Sequence, residues 1–328
     1  MSGIVTAVAT GATAGDEVLA SEIAARSPLQ LFWNRLRSDK VSLAALGVVL
    51  LMIVVAIFAP LIVKILGLPD PTIQNSDLLG TFGEPTGPSG AHIFGVDERG
   101  RDVASRVIYG ARVSMTVAVV ATALIVLIGV VVGLIAGSYR GRLDTFLSRG
   151  MDLFLAFPVL VLALGLGVAC ADGCVKVGED KALIQPGMMV VIIVIVITAW
   201  PYMARIVRGQ VLSLREREFV EASLSLGASD RRIIFREILP NLVAPIIVYA
   251  TVLVPQVILT EAALSFLGVG IDPEKASWGA MISDATSIFQ DAWWFMFFPG
   301  MALLMTVLAF NIVGDGLQDA LNPRSGAK

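Results

Sequence analysis

The residues able to do chemistry in this chain are few and far apart. Its one histidine, His92, stands in a turn-rich stretch with neither a cysteine nor a carboxylate at metal-ligand spacing, and reads as a surface residue. Two cysteines, Cys170 and Cys174, could form a disulfide in an oxidising compartment, and two free thiols in a short loop fit them equally well. No Gly-x-Ser-x-Gly elbow, His-Glu-x-x-His or Gly-x-x-x-x-Gly-Lys-Ser/Thr phosphate loop occurs. The chain is therefore expected to be no enzyme, to hold no metal or cofactor of its own, and to leave ATP hydrolysis to other chains. Two carboxylates sit at the edges of long apolar runs. Asp152 reads as a capping or solvated group, and Glu261 fits either a structural hydrogen bond or a place on a transport path.

What must position these groups is a membrane bundle. Of 328 residues, 56% are hydrophobic and 16% charged, and the mean hydropathy is +0.82, which excludes an ordinary soluble domain. A spanning helix needs about 20 mostly apolar residues. Six windows qualify: Val41 to Ile65, Ser114 to Ala136, Leu153 to Cys170, Gly187 to Ile206, Val243 to Thr260 and Trp294 to Val313. Alternation of the kind a membrane barrel needs is missing. The expected fold is an all-α polytopic membrane protein with six transmembrane helices. The cores of the windows hold no Asp, Glu, Lys or Arg, which argues against an ion-coupled carrier, since that class places carboxylates near the membrane centre.

Charge sets the orientation. Residues 1–25 carry Asp16, Glu17 and Glu22 and no basic group before an apolar core, unlike a cleavable signal peptide. Arg26, Arg35, Arg37 and Lys40 then precede the first window, and sixteen of the 24 lysines and arginines share the side of the N-terminus. Basic residues favour the cytoplasmic face, so both termini are expected there. The net charge of −3 and the lack of any like-charge run give no sign of nucleic-acid binding.

The resulting plan is a cytoplasmic segment (1–40), a first transmembrane helix (41–65), an outer segment (66–113), a permease-like core (114–313) with a cytoplasmic loop at 207–242, and a cytoplasmic tail (314–328). The outer segment opens with turns and then places Val103, Val107 and Ile108 at helical spacing, as an interfacial helix would. Its Arg99, Arg101, Arg106 and Arg112 have Asp97, Glu98 and Asp102 as candidate partners. Gly129, Gly133 and Gly137 share one helix face, suited to close packing inside the subunit or against another. Pro158 and Pro201 can bend their helices. Glu261 to Leu267 is expected to re-enter the bundle, and Trp278 to Trp293 to lie as an amphipathic stretch near the outer surface.

The loop between the fourth and fifth windows, around Glu221 to Asn241, predicts a helix, a turn and a second helix. Gly227 can end the first through a left-handed cap. Ser229 can cap the second, with Asp230 at the positive end of its dipole, and that helix should stop near Pro240. Two membrane helices need no such loop to be joined, so it is expected to meet a partner outside the bilayer.

Glu221-Ala222, Gly227 six residues after Glu221, and Ile238-Leu239-Pro240 resemble the EAA motif of ABC importer permeases. His92-Ile-Phe-Gly-Val-Asp-Glu-Arg-Gly-Arg-Asp-Val, Ile258-Leu-Thr-Glu-Ala-Ala-Leu-Ser-Phe-Leu-Gly with Ser277-Trp-Gly, and Gly314-Asp-Gly-Leu-Gln-Asp-Ala-Leu-Asn-Pro-Arg look like the second, C-type permease of the dipeptide, oligopeptide and nickel importers. The likeness runs from about Leu31 to Arg324. Val96, Asn322 and the insert from Cys170 to Lys181 depart from the family pattern, and the insert leaves the outer loop's role open. The resemblance implies a type I importer permease with a MetI-like fold in the bacterial inner membrane. It implies a homologous second permease, two ABC ATPases carrying ATP and Mg, an extracytoplasmic substrate-binding protein and membrane lipid as partners. Glu221, Ala222, Ser225, Gly227, Ala228, Ile238, Leu239 and Pro240 would couple to the ATPases. Glu261, Ser265, Phe266 and Trp278 would mark an outer gate or substrate path. The cargo would be di- or oligopeptides, or alternatively nickel or another small solute.

Overall fold

The computed structural model describes residues 37, 39–81, 83–139, 141–170, 174–176, 182–184, 187–270 and 274–321. The N-terminal segment before Arg37, expected in the cytoplasm, Lys181 of the insert, and the tail residues Asn322 and Arg324 lie outside the described residues.

The first window is helix α1, Lys40–Ile65. Asp39 caps it by accepting from the Val41 amide at 3.0 Å and from the Ser42 hydroxyl. Only one side is covered by protein: Ala45, Val49, Ala56, Ala59 and Val63 are buried, while Leu50, Leu51, Val54 and Ile57 are exposed and apolar, as lipid requires. Next comes α2, Val103–Ser138. The interfacial helix and second span expected as two pieces are one 36-residue helix. Nothing between them breaks the backbone, and the Asp102 carboxylate caps the start by accepting from the Ser105 amide at 2.8 Å.

α2 packs along α5, Met188–Arg215, through the glycine face. A methyl on Gly129 would lie 2.6 Å from Met203 Cβ, on Gly133 2.6 Å from the Ala204 carbonyl, and on Gly137 2.6 Å from Val211 Cβ. The small-residue stripe therefore serves packing within the subunit. Ile125, Ile195, Met203 and Val207 build the main core beside it.

The third window is not a straight span. It is α3, Arg142–Leu155, followed by α4, Val159–Ala169, bent by 85°. Pro158 sits at the break with φ −58 and ψ 120. Its ring disfavours a helical conformation at Phe157, and its missing amide leaves a rung open. On α3, Asp144 accepts from Arg208 of α5 at 2.6 and 2.9 Å, and Asp152 accepts from Arg205. Asp152 is thus an ion-pair partner more than a cap. α5 runs past the expected Ile206 to Arg215, with Val207 and Val211 packed against Gly133 and Gly137.

A short antiparallel hairpin, β1 (Cys174–Lys176) inside the insert and β2 (Ala182–Ile184) just after it, is an exception to the all-helical expectation. After α5 come α6, Glu218–Ser225, and α7, Asp230–Phe266. The helix expected to stop near Pro240 continues as the fifth span. A π segment, Ile233–Ile238, lies just ahead of the proline. An α turn would press the Pro240 ring against the Arg236 carbonyl, and the wider π turn relieves this. The expected re-entrant piece is also absent, because Glu261 to Phe266 is the end of α7. α8, Trp278–Ala285, is short, and α9 runs from Trp293 to Leu321, past the expected Val313. Among the described residues five helices are long and apolar enough to span a membrane, and α3 with α4 makes a sixth if the bent pair is one span.

Candidate functional site

The loop expected to meet a partner is built from α6 and the start of α7. Glu218 and Glu221 fall in the first turn of α6, at the positive end of its dipole. The helix ends in a Schellman turn: the Ala228 amide donates to the Ser223 carbonyl at 3.0 Å and the Gly227 amide to the Leu224 carbonyl at 2.9 Å. Gly227 has φ +78, and a methyl there would meet nothing within 4 Å, so conformation and not space requires glycine. Ser229 stands at the N-cap of α7 in extended conformation, but its hydroxyl makes no capping bond.

Val220, Ile233 and Ile238 are buried and join the core that includes Val211 of α5. They fix the loop to the bundle. Of the expected coupling residues, Ile238 is part of this anchor, Ala228 and Leu239 are half-buried, and Glu221, Ala222, Ser225, Gly227 and Pro240 are exposed. Sequence reading missed the apolar side chains that point outward: Leu226 is 89% exposed and Phe235 58%. The described residues thus leave two large apolar side chains of one loop uncovered.

A second feature lies in the bundle. A cavity of about 630 Å³ opens between α5, α7 and α9, with Tyr202, Gln210, Tyr249, Gln256 and Gln318 as its polar lining. A smaller one of about 270 Å³ is lined by Thr198, Thr260 and the same Gln256. Tyr202, Leu253 and Gln256 belong to both. Among the described residues, no Asp, Glu, Lys or Arg lines either cavity. The signal was present in the sequence as a lone glutamine between Pro255 and Val257 in an apolar run.

The residues expected at an outer gate lie elsewhere and are mostly closed. Glu261 is 0% exposed. It accepts from the Ser114 and Ser265 hydroxyls, each at 2.9 Å, and from the Ser277 hydroxyl. Trp278 is 0% exposed, with its indole donating to the Val107 carbonyl at 3.0 Å and its ring against Gly110. Phe266 alone of the four faces outward. Glu261 is thus a buried knot tying α2, α7 and the start of α8, consistent with a structural hydrogen-bonding role.

Beside the knot, the outer segment is closed by charge. Arg101 donates to Asp97 at 2.6 Å, Arg106 Nε lies 3.5 Å from the same carboxylate, and Asp284 of α8 approaches Arg101 at 4.0 Å. Burial pushes the Asp284 carboxyl above its ordinary value, against the pull of Arg106 and Arg101. His92, expected on the surface, is 13% exposed, with Nδ1 2.9 Å from Asp102. Cys170 is disulfide-bonded, while the side chain of Cys174 lies outside the described residues.

Residues 129–326 match the family of binding-protein-dependent transport system inner membrane components, and residues 27–78 match the N-terminal transmembrane domain of oligopeptide transport permease C. The dipeptide transport system permease DppC of Bacillus subtilis is 40% identical over 89% of this chain and 84% of its own length. The oligopeptide permease OppC of the same organism is 40% identical over 88% of each. The glutathione permease GsiD of Pectobacterium atrosepticum is 36% identical over 91% and 92%. In fold, the chain is similar to the inward-facing MetNI methionine ABC transporter, with a TM-score of 0.53 and 20% identity over 66% of this chain and 96% of that one. The chain belongs to the binding-protein-dependent ABC importer permeases, in the dipeptide and oligopeptide C-type branch.

Proposed function

We propose that this chain forms one half of the passage of an ATP-driven importer for di- or oligopeptides, paired with a homologous permease, served by an outer binding protein and powered by two ATPase chains. The observation that carries the reading is a continuity. α7 starts at an exposed apolar loop (Leu226, Phe235) and contributes Gln256 to the cavity. An ATPase docked on the loop would pull on the element that lines the passage. ATP and Mg reside on those partners.

The passage offers no carboxylate, imidazole or thiolate for a bare nickel ion, which favours an organic solute. The positive-inside count supports a bacterial inner-membrane location with both termini cytoplasmic. The chain itself performs no catalysis in this reading.

The test is uptake by the complete importer in proteoliposomes with the binding protein outside and ATP inside. A labelled dipeptide should accumulate only with ATP and hydrolysis-competent ATPases, and an ionophore should leave uptake unchanged. Uptake that survives loss of the ATPases and collapses with the proton gradient would sink the proposal in favour of an ion-coupled carrier.

A further inference from the structure

Resting on that reading of the passage, we infer that Gln256 is the point of contact with moving cargo, and that its neutral amide makes the passage tolerant of cargo charge. Three observations support this. The two cavities overlap at Tyr202, Leu253 and Gln256, so a solute passing from one to the other meets these side chains. Leu253 is buried, whereas Tyr202 and Gln256 are exposed. Gln256 is therefore held by the helix yet open to the passage, and the Thr260 hydroxyl one turn on is turned back to the Gln256 backbone carbonyl at 2.8 Å.

The chemistry of the lining follows from its composition. The Thr198 and Thr260 hydroxyls donate to backbone carbonyls of their own helices and keep only lone pairs to offer, whereas glutamine presents a carbonyl acceptor and two N–H donors and the tyrosine hydroxyls both donate and accept. Such groups can meet an ammonium or a carboxylate equally well. A fixed charge in a low-dielectric passage would instead hold one sign and repel the other. The solute this lining suits is a zwitterion with free amino and carboxyl ends and a variable side chain, taken without regard to that side chain's sign.

The experiment measures ATP-dependent uptake of labelled Ala-Ala, Asp-Ala and Lys-Ala by the complete importer, each expressed as variant over unaltered protein. Co-purification with the partner permease and ATPases checks assembly. Gln256→Glu should depress Asp-Ala uptake at least about tenfold relative to Ala-Ala while sparing Lys-Ala, and Gln256→Lys should reverse the order. Gln256→Asn should keep all three ratios equal. Equal scaling of the three peptides in both charged variants would overturn the inference while leaving the importer reading intact. Absence of ATP-dependent uptake of any of the peptides by the unaltered importer would remove the peptide reading and this inference together. If Gln256→Glu fails to assemble, Thr260→Asp at the smaller cavity carries the same prediction.

Discussion

The loop proposed to meet the ATPases and the segment expected on the outer side are the two motif-rich parts of this chain, and they use their residues in opposite ways. In the outer segment a group of charged side chains turns inward: Asp97, Arg101, Asp102 and Arg106 are all buried. In the loop the apolar side chains turn outward, with Leu226 and Phe235 bare. Buried charge that is paired within the chain is architecture, because removing one partner strands the other. Exposed apolar surface on an anchored loop is unfinished, because water is a poor neighbour for it. A dense motif can therefore mark a place that is closed or a place that is waiting, and burial tells which.

This contrast can be broken by mutation, with stability as the scale. Asp97→Ala leaves two buried arginines without their shared carboxylate and is expected to destabilise the subunit by about 3–5 kcal/mol. Thermal unfolding of the purified importer should register it, and an unchanged midpoint would mean the outer segment is not held by charge. Gly227→Asp forces a side chain into the left-handed region, at about 1–2 kcal/mol. It should keep the protein inserted while abolishing transport, and normal uptake with normal ATPase co-purification would refute the coupling assignment. Trp278→Phe keeps an aromatic ring but loses the bond to the Val107 carbonyl, about 1 kcal/mol, together with part of the volume of a fully buried indole. A stability loss much larger than that would show that the indole's shape, and not its hydrogen bond, closes the outer segment. Leu226→Ser should change stability by less than about 0.5 kcal/mol and yet cost ATPase co-purification and uptake. If it destabilises the subunit, Leu226 is packed in the fold and the comparison fails.

Much of this was legible in the sequence because membrane solvent imposes coarse rules. Apolar runs, the Gly227 cap and the bend at Pro158 follow from length, backbone freedom and a missing amide. What escaped was partnership over distance. Asp284 lies nearly two hundred residues from Arg101, so nothing local announced the contact. Asp102 looked like one acid among several, whereas it both caps α2 and holds His92. The helix expected to stop at Pro240 did not, because a π segment accommodates the ring, a remedy that composition does not display. The cavity escaped for the opposite reason: uncharged polar side chains leave little mark in an apolar run, and among the described residues its lining carries no charge.

The helix that joins these regions has a mechanical character of its own. At about 1.5 Å per residue, α7 is roughly 55 Å long. Pro240, Pro245 and Pro255 each leave a missing rung in its hydrogen-bond ladder. Pro240 stands at the end of the loop and Pro245 and Pro255 lie between it and Gln256, whereas the stretch beyond Pro255 is clamped at Glu261 by serines from neighbouring elements. The element is thus a leaf spring fixed at its outer end and supple below. Force applied at the cytoplasmic tip would flex the lower blade and swing the lining of the larger cavity, while the clamped outer end stays still.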